Sequence, residues 1–196
     1  MHKIFDILFM EILEIQDDCL YAVKYPEEEY DEYNRIFEDY SNFDKVHEFF
    51  ETHKWEIGQY YVKELGFNRN ETEAYAQYVV DETIELEEYF EDLIDNTINH
   101  DIPSLYGHFE FLEGFEKEDM PAMKSYGLSK PSMLRVYAVE VNKQCLIIFY
   151  SGIKIEHSLS DCPVLKENVL SKAYQLIEFL KEKEVVCAED VRRIAK

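Results

Sequence analysis

Apolar and polar positions repeat with two different periods along this chain, and the periods divide it. Residues 9–15 set apolar side chains around Glu11 and Glu14, and Gln16, Asp17 and Asp18 make a polar turn. Residues 20–25, Leu-Tyr-Ala-Val-Lys-Tyr, are aromatic and aliphatic. Two such runs around a short polar turn predict a β-hairpin, and Pro26 ends its second strand because it has no N–H for the ladder. From residue 27 to 96 the period is helical. Tyr30, Tyr33, Ile36 and Phe37 form one stripe, which Val46, Phe49 and Phe50 continue. Gly66 is a helix stop. Asn70 followed by Glu73 reads as a capping box for a helix over 71–95. The apolar stripe of that helix is Tyr75, Val79, Leu86, Phe90, Leu93 and Ile94, interrupted at Glu82 and Thr83.

Residues 97–131 are irregular and hold Pro103, Gly107, Gly114, Pro121, Gly127 and Pro131, which predicts a connector with short elements. Strand patterns return at 133–141 and 145–150, separated by an Asn-Lys-Gln turn. Ser151-Gly152 is read as a break, and 153–157 alternates as a third strand. On the first of these strands Arg135, Tyr137 and Val139 share one face. Pro163 starts a helix to about residue 184 with Leu165, Val169, Leu176, Ile177 and Leu180 buried, and a short helix covers 188–194. The expected class is α+β: a small antiparallel sheet, made of the N-terminal hairpin and a C-terminal meander, packed with several helices. We expect one domain over residues 1–196, divisible into a hairpin-plus-helical part (1–120) and a meander-plus-helix part (121–196). The two parts should share a core, since an isolated hairpin is marginal in water.

Charge changes the picture. The chain has 196 residues, 20 basic and 42 acidic, for a net charge of -22. Residues 1–100 carry 7 basic and 27 acidic side chains, whereas 121–196 carry 12 and 9. At long range such a chain repels nucleic acid and anionic membrane, and neither DNA nor a membrane is expected as a direct partner, while the acidic half reads either as a solvated surface or as one that mimics or excludes a polyanion. The apolar stretch at the N-terminus is broken by Asp6 and does not read as a signal peptide, and no apolar run reaches membrane-spanning length. The four cysteines form no Cys-x-x-Cys pair, so reduced thiols and a cytoplasmic location are expected. The six histidines form no His-x-x-x-His pair and the glycines no phosphate loop, so no metal or cofactor is expected. Glu82, Glu85, Glu88 and Glu91 read as a solvated helix face.

The run Leu134-Arg135-Val136-Tyr137-Ala138-Val139, a turn, Leu146-Ile147-Ile148, then Gly152-Ile153-Lys154 resembles the C-terminal half of the RelE/HigB-like toxin superfamily. The resemblance covers residues 133–186 and is carried by a short, mostly apolar motif. It implies a small antiparallel sheet flanked by helices. It also implies ribosome-dependent cleavage of mRNA by an enzyme that a cognate antitoxin holds inactive. Basic and aromatic groups would bind the phosphate there, and the transferable positions are Arg135 and Lys154. Tyr150 lies in the same region. His157 matches the motif poorly but is able to move a proton near neutral pH. Each position also has an ordinary reading: Arg135 paired with a surface carboxylate, Lys154 a strand-end charge, His157 a turn residue. The chain departs from the family in being longer and strongly acidic, where typical members are basic. The alternative is an inactive interaction module that binds a basic partner through its acidic, Tyr-rich first half.

Overall fold

The computed structural model of the chain describes residues 10–16, 19–100, 105–115, 119–143 and 145–196. The expectation for the N-terminal apolar stretch falls mostly outside these residues. The hairpin forms as its pattern dictates: β1 (Glu11–Gln16) pairs antiparallel with β2 (Leu20–Lys24). Four helices follow. α1 (Glu32–Tyr40) is capped by Asp31, whose carboxylate accepts from the N–H groups of Tyr33 and Asn34. Asn42 caps α2 (Phe43–His53) in the same way. α3 (Gln59–Leu65) ends at Gly66, whose φ of 76° is the left-handed conformation that a residue without Cβ adopts cheaply. α4 (Thr72–His100) is the long helix. Its start is fixed two residues before the expected capping pair, by Glu71 accepting from the backbone N–H of Asn68 at 2.7 Å.

The second half supplies β3 (Glu110–Phe111), β4 (Ala122–Tyr126), β5 (Leu134–Val141), β6 (Cys145–Ile153), α5 (Pro163–Glu182) and α6 (Ala188–Ile194). The strands form one six-stranded sheet in the order β1-β2-β6-β5-β4-β3. The fold is therefore α+β. The sheet is mixed rather than antiparallel, because β2 runs parallel to β6. Parallel neighbours need a long connection, and here α1–α4 and three strands lie between them in the chain.

Two expectations about the meander are corrected. Ser151-Gly152 does not break the run, and 153–157 is not a third strand. β6 continues through Gly152 to Ile153, paired with Leu134 and Arg135 of β5. Gly152 is there for clearance, since a Cβ would lie 2.7 Å from Leu165 Cδ1 of α5. Beyond it the chain leaves the sheet, with the Ile155 carbonyl accepting from Gly58 N–H at the start of α3 (2.8 Å). The third strand of the meander is β4, on the far side of β5 and inside the supposed connector.

All eight residues of β5 are buried, so both sheet faces are covered. α5 covers the face bearing Gly152; α1 contacts β2 and β6, and α4 contacts β5. The hydrophobic core runs through both halves, from Ile12 and Val23 through Phe50 and Phe90 to Ile148 and Leu176. No helix among the described residues is long and apolar enough to cross a membrane.

Candidate functional site

Strand register brings basic and aromatic side chains to one face. Lys124 lies opposite Tyr137, Tyr126 opposite Arg135, and Arg135 opposite Gly152. Side chains on one face recur every second residue, so Lys124, Tyr126, Arg135 and Tyr137 share it. Lys154, two residues past Gly152, continues the same row as the chain departs. These residues line a cleft of about 950 Å3, closed by Tyr60 and Tyr61 of α3, the 127–132 loop, residues 157–160, and Lys166 of α5. Five cations line the cleft, Lys124, Lys130, Arg135, Lys154 and Lys166, against one carboxylate, Glu113. In a chain with more than two acids per base, so one-sided a lining gives the cleft a locally positive field.

The charges are held by different means. Arg135 is buried, and its Nη1 donates to the Ser132 carbonyl (3.1 Å), Ser132 Oγ (3.0 Å) and the Leu134 carbonyl. The guanidinium lies 4.2 Å from the Tyr126 ring centroid. It is not the surface ion pair of the ordinary reading. Lys154 is 9% exposed and its Nζ donates to the His157 carbonyl. Burial, with Arg135 and Lys124 nearby, pulls its pKa down to about 8. It is therefore a buried lysine among cations rather than a strand-end charge. Lys124 pairs with Glu110 at 3.4 Å. His157 is exposed, with its ring edge-on to Tyr60 at 4.4 Å.

Under this face lies a carboxyl that the helical pattern misassigns. Glu82 is not on a solvated face: it is 1% exposed, and its Oε2 accepts from the N–H groups of Met133 (3.0 Å) and Leu134 (3.2 Å). Its Oε1 is buried with no hydrogen-bond partner among the described residues. Burial pushes the carboxyl's pKa up. Glu85, Glu88 and Glu91 are exposed, as expected. Glu82 holds the 127–134 loop from below, together with Tyr61 and Tyr78, whose hydroxyls donate to the carbonyls of Ser132 (3.0 Å) and Pro131 (2.9 Å). The loop that grips Arg135 is thereby fixed in advance.

Arg135, Lys154 and His157 thus converge on one cleft. Tyr150 does not join them. It lines a separate cavity, beneath Lys172 (4.7 Å to the ring centroid) and Arg35 (5.7 Å), and burial pushes its pKa up to about 12. Sequence reasoning missed Lys124, Tyr126, Tyr60, Lys130 and Lys166. For the first two a signal existed in the alternation of Met123-Lys124-Ser125-Tyr126. The other three depend on tertiary approach. Compared with known proteins, the chain matches no family model, no curated protein and no solved structure.

Proposed function

We propose that the cleft binds the phosphodiester backbone of RNA and that the protein is a RelE/HigB-like endoribonuclease. The observation that carries this reading is the gathering of five cations, with the accessible rings of Tyr60 and Tyr126, on one cleft of a chain whose net charge is -22. Cations neutralise phosphate, and tyrosine rings accept stacked bases. The order of elements, hairpin, helices, strands and C-terminal helix, is the one the resemblance implies, although the sheet is mixed and Gly152-Ile153 ends β6 instead of opening a last strand.

The chemistry follows from the protonation states. At neutral pH Lys154, with a pKa of about 8, is largely ammonium. His157 takes the proton of the ribose 2′-hydroxyl as its oxygen attacks the adjacent phosphorus. The P–O5′ bond breaks, and the 5′-oxygen takes a proton from Lys154. Arg135 and Lys124 stabilise charge on the phosphoryl oxygens. The products are a 2′,3′-cyclic phosphate and a 5′-hydroxyl, and solvent returns the proton from His157 to Lys154.

The test is growth and bulk translation after induced expression of the full chain, beside an Arg135→Ala/Lys154→Ala version at equal level. Arrest by the first alone supports the reading. No arrest by either, together with no binding of single-stranded RNA to the purified protein, overturns it. The interaction-module alternative keeps its acidic surface but loses most of its tyrosines: Tyr21, Tyr61 and Tyr75 are fully buried, Tyr25, Tyr33, Tyr40, Tyr78 and Tyr89 pack against the core, and Tyr30 and Tyr60 remain accessible.

A further inference from the structure

A second cavity, of about 730 Å3, shares residues 154–162 with the cationic cleft as a common wall. Lys154, His157 and Ser158 face the cleft; Ile155, Glu156, Asp161 and Cys162 face the cavity. Its size falls in the range of small-molecule sites, and so does its make-up of an apolar lining with a few polar groups. Val46 and Phe49 of α2, Ile153, Ile155 and Leu165 supply the apolar surface. Tyr40 and Tyr150 add rings whose hydroxyls are engaged elsewhere, with the Ser151 carbonyl (3.1 Å) and Asn168 Nδ2 (3.4 Å).

The polar rim has the opposite sign to that of the cleft. It holds four carboxylates, Asp39, Glu56, Glu156 and Asp161, against Lys45 and His53. The two bases are already committed: Lys45 Nζ lies 2.7 Å from Asp39, and His53 Nδ1 lies 3.2 Å from Glu56. Asp161 accepts from the Ser158 hydroxyl at 2.7 Å, and the Glu156 carboxyl packs over Gly58. Neither Glu156 nor Asp161 forms an ion pair among the described residues. An occupant therefore meets apolar walls inside and, at the mouth, two carboxylates without an ion-pair partner among the described residues. We infer that this cavity binds an organic cation, an amine or guanidine carried on an aromatic or branched-alkyl body. The body displaces water from the apolar wall, and the cation sits between Glu156 and Asp161. Anions that enter the neighbouring cleft are excluded by the same two carboxylates. The assignment does not rest on the RNA reading of that cleft.

The test uses the full chain, labelled with 15N, titrated with 4-phenylbutylamine, 4-phenylbutan-1-ol and 4-phenylbutyrate. Amide shifts should move at Val46, Phe49, Ile155 and Leu165 with the amine, saturably, and the carboxylate should move none of them. The alcohol should bind about three- to tenfold more weakly than the amine, the worth of one or two partly exposed charge pairs. Glu156→Gln/Asp161→Asn removes both charges while keeping an oxygen to pack over Gly58 and to accept from Ser158, and should remove the preference of amine over alcohol while leaving the alcohol's affinity in place. Equal affinity for all three probes, shifts confined to the cationic cleft, or an amine Kd weaker than about 10 mM would each overturn the assignment. A Lys-flanked apolar peptide that binds at these residues when the free amine does not would overturn it too, in favour of a protein partner.

Discussion

Lys154 is buried among cations, and that governs what it does when an anion arrives. In the free protein its pKa is about 8, so at pH 8 about half the molecules hold the neutral amine. A phosphate placed between Lys154 and Arg135 favours the ammonium and raises the pKa again. Binding at pH 8 should therefore take up about half a proton at Lys154, whereas at pH 6 the lysine is already charged and contributes none. Calorimetry of a short RNA or inorganic phosphate in two buffers of different ionisation enthalpy measures this. Identical apparent enthalpies at pH 8 would place the anion away from Lys154. Lys154→Met should abolish the uptake. At this scale the sequence was informative about residue type and uninformative about environment. Arg135 and Lys154 could be named from the pattern of strand and resemblance. That Arg135 would be held by Ser132 and Tyr126 instead of a carboxylate depended on a loop whose path no local periodicity encodes. His157 reaches Lys154 through its main-chain carbonyl, a contact indifferent to its side chain.

Among the elements, the stripe of α4 and the C-terminal helices were legible because each buries one face with a clear period, and the hairpin because its apolar runs flank a polar turn, β2 being buried on both faces. Three features were not, and each has a local reason. β4 sits between Pro121 and Gly127, so its five residues read as connector. Gly152 reads as a break, although it is the gap into which Leu165 packs. Glu82 interrupts the stripe of α4 because its carboxylate replaces packing with two hydrogen bonds to the backbone of Met133 and Leu134. The last feature makes the 127–134 loop sensitive to volume. A Cβ at Gly127 would lie 2.2 Å from Glu82 Oε1, and that carboxylate cannot retreat without leaving two buried N–H groups unpaired. Gly127→Ala should destabilise the fold by about 2 kcal/mol and weaken anion binding as Ser132 shifts under Arg135. Chemical denaturation and phosphate titration of the same variant check both. An unchanged midpoint would mean that the loop relaxes freely and does not preset the cleft.

Over the whole molecule, charge is sorted more sharply than the chain order suggests. The two halves meet in a buried ionic cluster, where Glu32 of α1, 2% exposed, receives Arg35 at 2.6 Å and Lys172 of α5 at 2.9 Å. Burial lowers the pKa of Lys172, an effect that Glu32 opposes. Glu32→Gln leaves Lys172 without its ion-pair partner and Arg35 with Asp39 alone, at 3.6 Å, and should cost about 3 kcal/mol of stability. A smaller loss on thermal unfolding than from an exposed control such as Glu85→Gln would show the cluster to be unimportant. The acidity outside this cluster also shapes what the cleft can bind. Five local cations attract a phosphate chain at short range, while a net charge of -22 repels it at long range. Salt acts on the two terms unequally, since the screening length falls from about 30 Å at 0.01 M to about 8 Å at 0.15 M. The long-range repulsion is screened first, the local attraction only at higher concentration. Affinity for a single-stranded oligoribonucleotide should therefore rise from the lowest salt to an optimum and then fall. A basic RNA-binding surface shows only the falling limb. Anisotropy of a labelled RNA long enough to overhang the cleft measures the curve, and a dinucleotide, confined within the cleft, should show a weaker rise. A steep fall from the lowest salt onward for both lengths would mean that the acidic helices exert no field on the bound chain, and that their charge serves some other end than governing access to this cleft.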